Sequence, residues 1–404
     1  MTREDARKLD AADPLASMKQ CFALSDGVIY LDGNSLGALP KAARDILADA
    51  ATRQWGDRLI RSWNEGWVDA PRRIGTKIAP LIGAAPGEVI VGDSTSVNLF
   101  KLLVAALRID PARRVIVSEQ GNFPTDLHIA EGAASCVPGA VLKTVPRADI
   151  AAALGSDIGV LLLTHIHYKT GARFDMKALT AAAHAAGAVA LWDLSHSTGA
   201  VPVDLTAAGA DLAVGCTYKY LNGGPGAPAF LYVAKRWQDR FTSPLSGWMG
   251  HAAPFAFADA YVPAPGMTRW LAGTPSILAL AALEAGIDLW QDIDRDAVWA
   301  KSAALFDILA AAGDSLGFEC ITPRAAAARG SHISFRLPHA YAVSQALIAR
   351  GVIGDFRDPD ILRLGLPPLY LGHEDVWRAG EILRDVIATA AWRDPQFSKR
   401  LTVT

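Results

Sequence analysis

Between residues 88 and 233, apolar runs of strand length alternate with Ala-rich amphipathic stretches. The runs are Glu88-Val-Ile-Val91, Arg114-Val-Ile-Val-Ser118, Ile158-Gly-Val-Leu-Leu-Leu163, Ala188-Val-Ala-Leu-Trp192, Asp211-Leu-Ala-Val-Gly-Cys216 and Ala229-Phe-Leu-Tyr-Val233. A strand that is apolar at every position is covered on both faces. Such strands, alternating with helices, predict an α/β fold with a mainly parallel central sheet. Ligand sites in such sheets form beyond the carboxyl ends of the strands, so the residues following each run carry the functional interest.

The pattern differs on either side. The first 50 residues read as an arm and a turn-rich lead-in, Tyr30-Leu-Asp-Gly-Asn-Ser-Leu-Gly-Ala-Leu-Pro40. Residues 276–293 predict a long helix leaving the α/β unit. Beyond it, Gly330-Ser-His-Ile-Ser-Phe-Arg336, a helix at 339–350, Ile361-Leu-Arg-Leu364 and a helix near 373–392 predict a smaller α+β unit. The expected division is therefore an arm (1–50), a large domain (51–275) and a linking helix with a small C-terminal domain (276–404). The tail after Trp392 is expected to be peripheral. No repeat, low-complexity tract or long linker interrupts this order.

Composition narrows the function. At 404 residues and 51% hydrophobic, the chain has ample material for a core. Its 39 Lys and Arg against 41 Asp and Glu give a charge of -2, which argues against a nucleic-acid partner while allowing a small phosphorylated ligand. Cys21, Cys136, Cys216 and Cys320 are too dispersed for a zinc cage or a disulfide framework. The charged start lacks a signal-peptide core, and residues 178–192 and 220–234 are bounded by charge and broken by Gly or Pro. The expectation is a soluble, cytoplasmic protein with no membrane partner.

The most informative segment is Asp211-Leu-Ala-Val-Gly-Cys-Thr-Tyr-Lys219, followed by Tyr-Leu-Asn-Gly-Gly-Pro-Gly226. A lysine just past an apolar strand can form a Schiff base with an aldehyde cofactor if its surroundings lower its pKa; the alternative is a solvated loop lysine. Asp193, 26 residues earlier, ends another apolar strand. A carboxylate there can pair with a protonated pyridine nitrogen and make the ring an electron sink; the alternative is a helix cap, since Ser195 and Ser197 follow. Together the two residues favour the cofactor reading.

Val91-Gly-Asp-Ser-Thr-Ser-Val-Asn98 lies between a strand and a helix, where backbone N–H groups and hydroxyls can cradle a phosphate or simply cap the helix. Phe123 can cover a flat ring or be an ordinary loop aromatic. Arg363 is a charge inside an apolar strand pattern and needs a partner, either a substrate carboxylate or an internal Asp. His165-Ile-His167 has period two, so both rings are expected on one sheet face, with Asp193 and His196 near the same edge. That arrangement permits a metal-dependent hydrolase. A metal would explain neither the phosphate-type loop nor the lysine with its glycine-rich sequel.

These residues carry a resemblance to the kynureninase family, within the fold-type I enzymes that depend on pyridoxal 5'-phosphate. It runs from Tyr30-Leu-Asp-Gly-Asn-Ser-Leu-Gly37 to the Arg363 segment. Its most specific parts are Gly121-Asn-Phe-Pro-Thr-Asp126, Trp192-Asp-Leu-Ser-His196, Thr217-Tyr-Lys-Tyr-Leu-Asn-Gly-Gly-Pro-Gly226 and Gly247-Trp-Met-Gly-His251. The resemblance implies hydrolytic Cβ–Cγ cleavage of L-kynurenine to anthranilate and L-alanine, in tryptophan degradation or NAD biosynthesis, with no metal. It implies that Lys219 carries the cofactor, Asp193 binds the pyridine nitrogen and Phe123 stacks on the ring. Thr95, Ser96 and Tyr218 would contact the phosphate. Pro124, Thr125, Asp126, Thr164 and His196 would surround the ring, and Tyr218 would assist proton transfer. Trp248 and Thr274 would complete the pocket from a second subunit, which makes the protein a homodimer with composite sites. Arg363 would clamp the substrate carboxylate, and Trp63 and His251 would line the aryl pocket.

The chain departs from the family pattern at three places. Thr274 stands where the animal relatives have Asn, Met249 replaces the second Trp of a Trp pair, and Trp63 occupies a His position. These changes bear on substrate choice and favour L-kynurenine over its 3-hydroxy form. Cysteine desulfurases and aminotransferases share the expected fold. A desulfurase needs a reactive loop cysteine between the lysine and the arginine, and Cys320, the one cysteine in that interval, sits in the strand-like Gly317-Phe-Glu-Cys-Ile-Thr322.

Overall fold

The computed structural model describes residues 1–401. After a short strand β1 (Ile29–Tyr30) come β2 (Val89–Val91), β3 (Val115–Glu119), β4 (Val141–Val145), β5 (Ile158–Thr164), β6 (Val189–Asp193), β7 (Leu212–Gly215) and β8 (Phe230–Val233). The last seven form one sheet in the order β2-β8-β7-β6-β5-β3-β4. Neighbours from β7 through β4 pair in parallel, and β8 alone runs against the rest. The six apolar runs are six of these strands. The seventh, β4, escapes the pattern because this edge strand is largely exposed.

Two-sided burial explains the uninterrupted apolar runs. Along β5, Leu161 and Leu163 join one core with Trp192, whereas Val160 and Leu162 join another with Leu191 and the helix Thr95–Leu107. Each fully buried side chain of this kind contributes about 1.5–3 kcal/mol. The sheet edge that carries the chemistry is thus held between two filled layers.

In the C-terminal part, β9 (Glu319–Cys320), β10 (His332–Arg336), β11 (Val352–Ile353), β12 (Asp355–Arg357) and β13 (Ile361–Gly365) follow. An antiparallel sheet runs β12-β13-β10-β9, and β11 pairs in parallel with β1. The helix expected at 276–293 is shorter, Ile277–Asp288, and a second helix, Arg295–Ser315, begins immediately after it. The break has a local cause: the Asp294 side chain accepts from the Asp296 and Ala297 N–H groups and caps the new helix. The helix expected near 373–392 spans His373–Ala388, and Ala390 turns left-handed at φ 51°. The N-terminal helix Arg3–Ala11 packs on it, with Arg3 and Arg7 paired to Glu374. Beyond Trp392 the chain is tied to the surface by the Tyr341 hydroxyl, which donates to the Lys399 carbonyl and accepts from the Leu401 N–H. Among the described residues, no helix is long and apolar enough to cross a membrane.

Candidate active site

Four strands that are neighbours in the sheet, β3, β5, β6 and β7, run in parallel to one edge, and candidate residues follow each of them. Register sets Thr164, the last residue of β5, beside Asp193, the last of β6. Asn122 and Asp126 arrive from the turn after β3, and Lys219 from the loop after β7. β2 runs in the same sense as β7, because both are antiparallel to β8. The helix that starts with Thr95 and Ser96, capped by Ser94, therefore opens at the same edge.

The buried carboxyls form a proton chain. Thr164 Oγ1 lies 2.6 Å from Asn122 Oδ1 and 2.8 Å from Asp126 Oδ2. Burial, reinforced by the Asp193 carboxylate, pushes the Asp126 carboxyl well above its usual range. A hydroxyl has one proton to give, so a protonated Asp126 completes the chain from Asp126 through Thr164 to Asn122. Asp193 Oδ1 accepts from the Ser195 N–H at 2.7 Å. The same carboxylate lies beside Asp126 and suits a cationic N–H.

Lys219 Nζ is 2.9 Å from His196 Nε2. Burial, then the Lys219 charge, holds His196 well below the ordinary imidazole range. The neutral ring therefore accepts from the lysine through Nε2 and carries its proton on Nδ1, which is buried without a partner among the described residues. The lysine loop is clasped from outside: the Gly37 N–H donates to the Tyr218 carbonyl at 2.7 Å. A Cβ on Gly37 would lie 2.2 Å from the Lys219 carbonyl oxygen. The nearby Cys216 thiol, then burial, raises the Tyr218 phenol, which stays protonated.

Arg363 is 1% exposed and its partner is internal. Nε donates to Asp355 Oδ1 at 2.8 Å, Nη2 binds Asp355 Oδ2 and the Ser35 hydroxyl, and Nη1 reaches the Tyr168 carbonyl at 2.6 Å. Of the two partners open from sequence, the structure contains the internal acid. One N–H on Nη1 remains for another acceptor. Tyr168 also meets Phe123 edge-to-face at 5.2 Å, so it joins the ring side of the site to the arginine side.

The histidine pair is a correction. His165 and His167 lie just beyond β5 and diverge: His165 Nδ1 contacts Ser197 Oγ at 2.9 Å, whereas His167 Nε2 contacts the Gly121 carbonyl at 3.1 Å. Past the strand end the period of two no longer holds, and the rings do not converge on a metal. Among the described residues, the ligand-like cluster that does gather is Asp10, Asp13 and His373, remote in sequence from these residues. It is already engaged: Asp10 caps the helix His373–Ala388, and Asp13 pairs with Lys301 at 2.6 Å.

Other candidates stand apart. Phe123 is 39% exposed, and Pro124 and Thr125 open the helix behind it. Trp63 packs on Trp67, Trp248 on Phe255, and His251 on Tyr261. Thr274 is exposed, two residues beyond Ala272, whose carbonyl accepts from the Met249 N–H. Among the described residues, no hydrogen bond or ring contact joins Trp63, Trp248, His251 or Thr274 to the Lys219 cluster. Sequence reasoning missed Asn122, Ser195, Tyr168 and Asp355. Asn122 and Ser195 lie inside motifs already singled out, while Tyr168 and Asp355 carry no local signal.

Pyridoxal phosphate fits these residues. The Asp193 carboxylate beside the protonated Asp126 suits a cationic N–H, a partnerless buried imidazole N–H needs an oxygen, and a lysine stands on the other nitrogen of that imidazole. The sheet order and this edge define a fold-type I pyridoxal-phosphate-dependent enzyme. The apo cysteine desulfurase of Thermococcus onnurineus NA1 superposes with a TM-score of 0.77 at 19% identity, covering 92% of this chain and 98% of that one. C-DES, solved with glycine linked to its cofactor, gives 0.74 at 16%, covering 89% and 97%. Identities this low speak for the fold alone. Residues 298–383 match the family model "Kynureninase C-terminal domain". Kynureninase of Burkholderia pseudomallei strain 1106a is 53% identical over the full length of both chains. The chain belongs to the kynureninase family, enzymes that hydrolyse a carbon–carbon bond with pyridoxal phosphate.

Proposed function

We propose that this chain hydrolyses the Cβ–Cγ bond of L-kynurenine, consuming one water and releasing anthranilate and L-alanine, as a cytoplasmic homodimer in tryptophan degradation. The observation that carries the reading is the convergence of Lys219, His196, Asp193, Asp126 and Thr164 at one edge, in a chain 53% identical to a kynureninase throughout.

Bound at this edge, pyridoxal phosphate supplies an electron sink for negative charge at the substrate's Cα. Asp193 holds the ring nitrogen protonated, Phe123 covers the ring's exposed face, and Thr95 and Ser96 offer hydroxyls and helix N–H groups to the phosphate. Freed Lys219 Nζ takes and returns the proton at Cα, with neutral His196 orienting it through Nε2. Tyr218, kept protonated, donates at Cβ as the bond to the carbonyl carbon breaks. The spare N–H of Arg363 orients the substrate carboxylate, and Trp63 and His251 bound the aryl group.

The dimer reading draws support from exposed apolar surface beside Trp248: Phe255 and Phe257 are 60% and 79% exposed, and the Phe255 ring adjoins those of both Trp248 and Phe257. Trp248 and Thr274 then serve the partner's site. We read the chain as arm, large domain and small domain with boundaries near 50 and 275.

The test is incubation of cofactor-loaded protein with L-kynurenine and, separately, its 3-hydroxy form. Equal amounts of anthranilate and alanine, faster turnover of L-kynurenine, and no product from Lys219→Ala are expected. Absence of anthranilate from the loaded wild type would overturn the reading.

A further inference from the structure

A cavity of about 990 Å³ lies apart from Lys219 and Asp193, lined in part by His165, Arg173, Phe174, Val201, Trp290 and Trp299. That size suits a small organic ligand, and its walls combine aromatic faces with charged groups of both signs, among them Arg173, Lys177, Asp204 and Asp296.

Three of its polar groups are poorly satisfied. Arg173 is half-buried, its nearest polar contact the Pro202 carbonyl at 3.4 Å, and among the described residues no carboxylate lies within ion-pair distance of it. Of the acids at the rim, Asp175, Asp204 and Asp294 each cap a helix by accepting backbone N–H groups, and Asp296 lies in the first turn of the helix that Asp294 caps. Trp290 Nε1 and His165 Nε2 are both buried with no hydrogen-bond partner among the described residues. A half-buried guanidinium whose neighbouring acid, Asp175, is not within ion-pair distance, and two orphaned ring nitrogens, are better satisfied when something occupies the space.

We propose that this cavity binds an aromatic monocarboxylate, with its ring against Phe174, Trp290 and Trp299 and its carboxylate on Arg173. The guanidinium fork matches a carboxylate, and the indole N–H provides a further donor. The aromatic product of the proposed reaction is a member of this class, and that link alone rests on the proposed function.

The site is wired to the catalytic edge. The His165 backbone N–H donates to the Asp193 carbonyl at 2.9 Å, and its ring holds Ser197, the residue after His196. An occupant that engages His165 therefore acts on the segment bearing Asp193 and His196 without entering the substrate site, and lowers kcat rather than raising KM.

The experiment titrates the holoenzyme with benzoate by calorimetry and repeats it with Arg173→Met and Trp299→Ala, then measures benzoate inhibition of each. Both variants are expected to keep wild-type KM while weakening the binding by about ten-fold or more, the scale of a lost charge-assisted hydrogen bond. The kcat effect should vanish in Arg173→Met. Benzoate that only raises KM, variants that bind it like wild type, or a change of oligomeric state in Arg173→Met, which would place a second copy in the cavity, would each overturn the proposal. Calorimetry needs no turnover, so Arg173-dependent benzoate binding in a chain that leaves kynurenine intact would sink the proposed function and keep this one.

Discussion

Removing the Asp355 carboxylate should be the most costly single truncation near the site. Asp355 and Arg363 are each 1% exposed and joined through Nε at 2.8 Å and through Nη2. Asp355 also accepts from Arg357 Nη2 at 2.6 Å and from Ser35 at 2.8 Å. Asp355→Ala leaves two guanidiniums facing one another, with only the Tyr168 carbonyl and the Ser35 hydroxyl still on Arg363. Breaking a buried pair by deleting one partner costs about 3–5 kcal/mol, because the surviving charge stays desolvated. Asp32 reduces that loss. Burial and the Asp355 charge hold its pKa up at about 7, and without Asp355 it ionises and takes over part of the neutralisation. The loss should therefore sit near the lower end, about 3 kcal/mol. The assay is urea unfolding at saturating cofactor for wild type, Asp355→Ala, Arg363→Met and the double variant. A coupling energy of about 2–3 kcal/mol is expected. Coupling within about 0.5 kcal/mol of zero would refute the claim that this pair organises the arginine.

Gly37→Ala should disturb the lysine loop, since its Cβ would lie 2.2 Å from the Lys219 carbonyl and 2.5 Å from Asn222 Oδ1; kcat should fall about 100-fold with the circular dichroism spectrum unchanged. Asp32 and His167 should tilt stability in opposite directions with pH. Asp32 is raised from 3.8 to about 7 by burial and Asp355, so between about pH 4 and 7 it is protonated when folded and ionised when unfolded. Wild type loses that stability as pH rises through the window, and Asp32→Asn should flatten the urea midpoint there. Burial depresses His167 from 6.5 to about 4, so its contribution is lost as pH falls from 6.5 to 4; His167→Asn should lessen the acid-side loss in the same titration.

The sequence exposes the sheet because burial on both faces writes each strand as a continuous apolar run. It hides β4 for the opposite reason, since an exposed edge strand such as Val-Leu-Lys-Thr-Val145 needs no such run. The helix Arg295–Ser315 is also missed: buried positions from Val298 to Gly313 lie around much of its circumference, so no single apolar stripe stands out. The placement of Lys219, Asp193, Asp126, Thr164 and His196 at one edge is legible because each ends a strand or follows one within seven residues. Asp355 is not, because it reaches Arg363 only through the antiparallel register of β12 on β13. The arm's pairing of Ile29–Tyr30 with Val352–Ile353 is equally remote. His165 and His167 mislead because the strand ends at Thr164.

Under the proposed function, Lys219 is the residue joined to the cofactor. The direct measurement is borohydride reduction of the loaded protein, which fixes a carbon–nitrogen double bond as a stable linkage, followed by digestion and peptide mass spectrometry. One pyridoxyl group per chain on the peptide containing Lys219, absent from Lys219→Ala, is the predicted result. A pyridoxyl group on Lys101, Lys169 or any other lysine, or none at all in protein that still carries the cofactor, would contradict it.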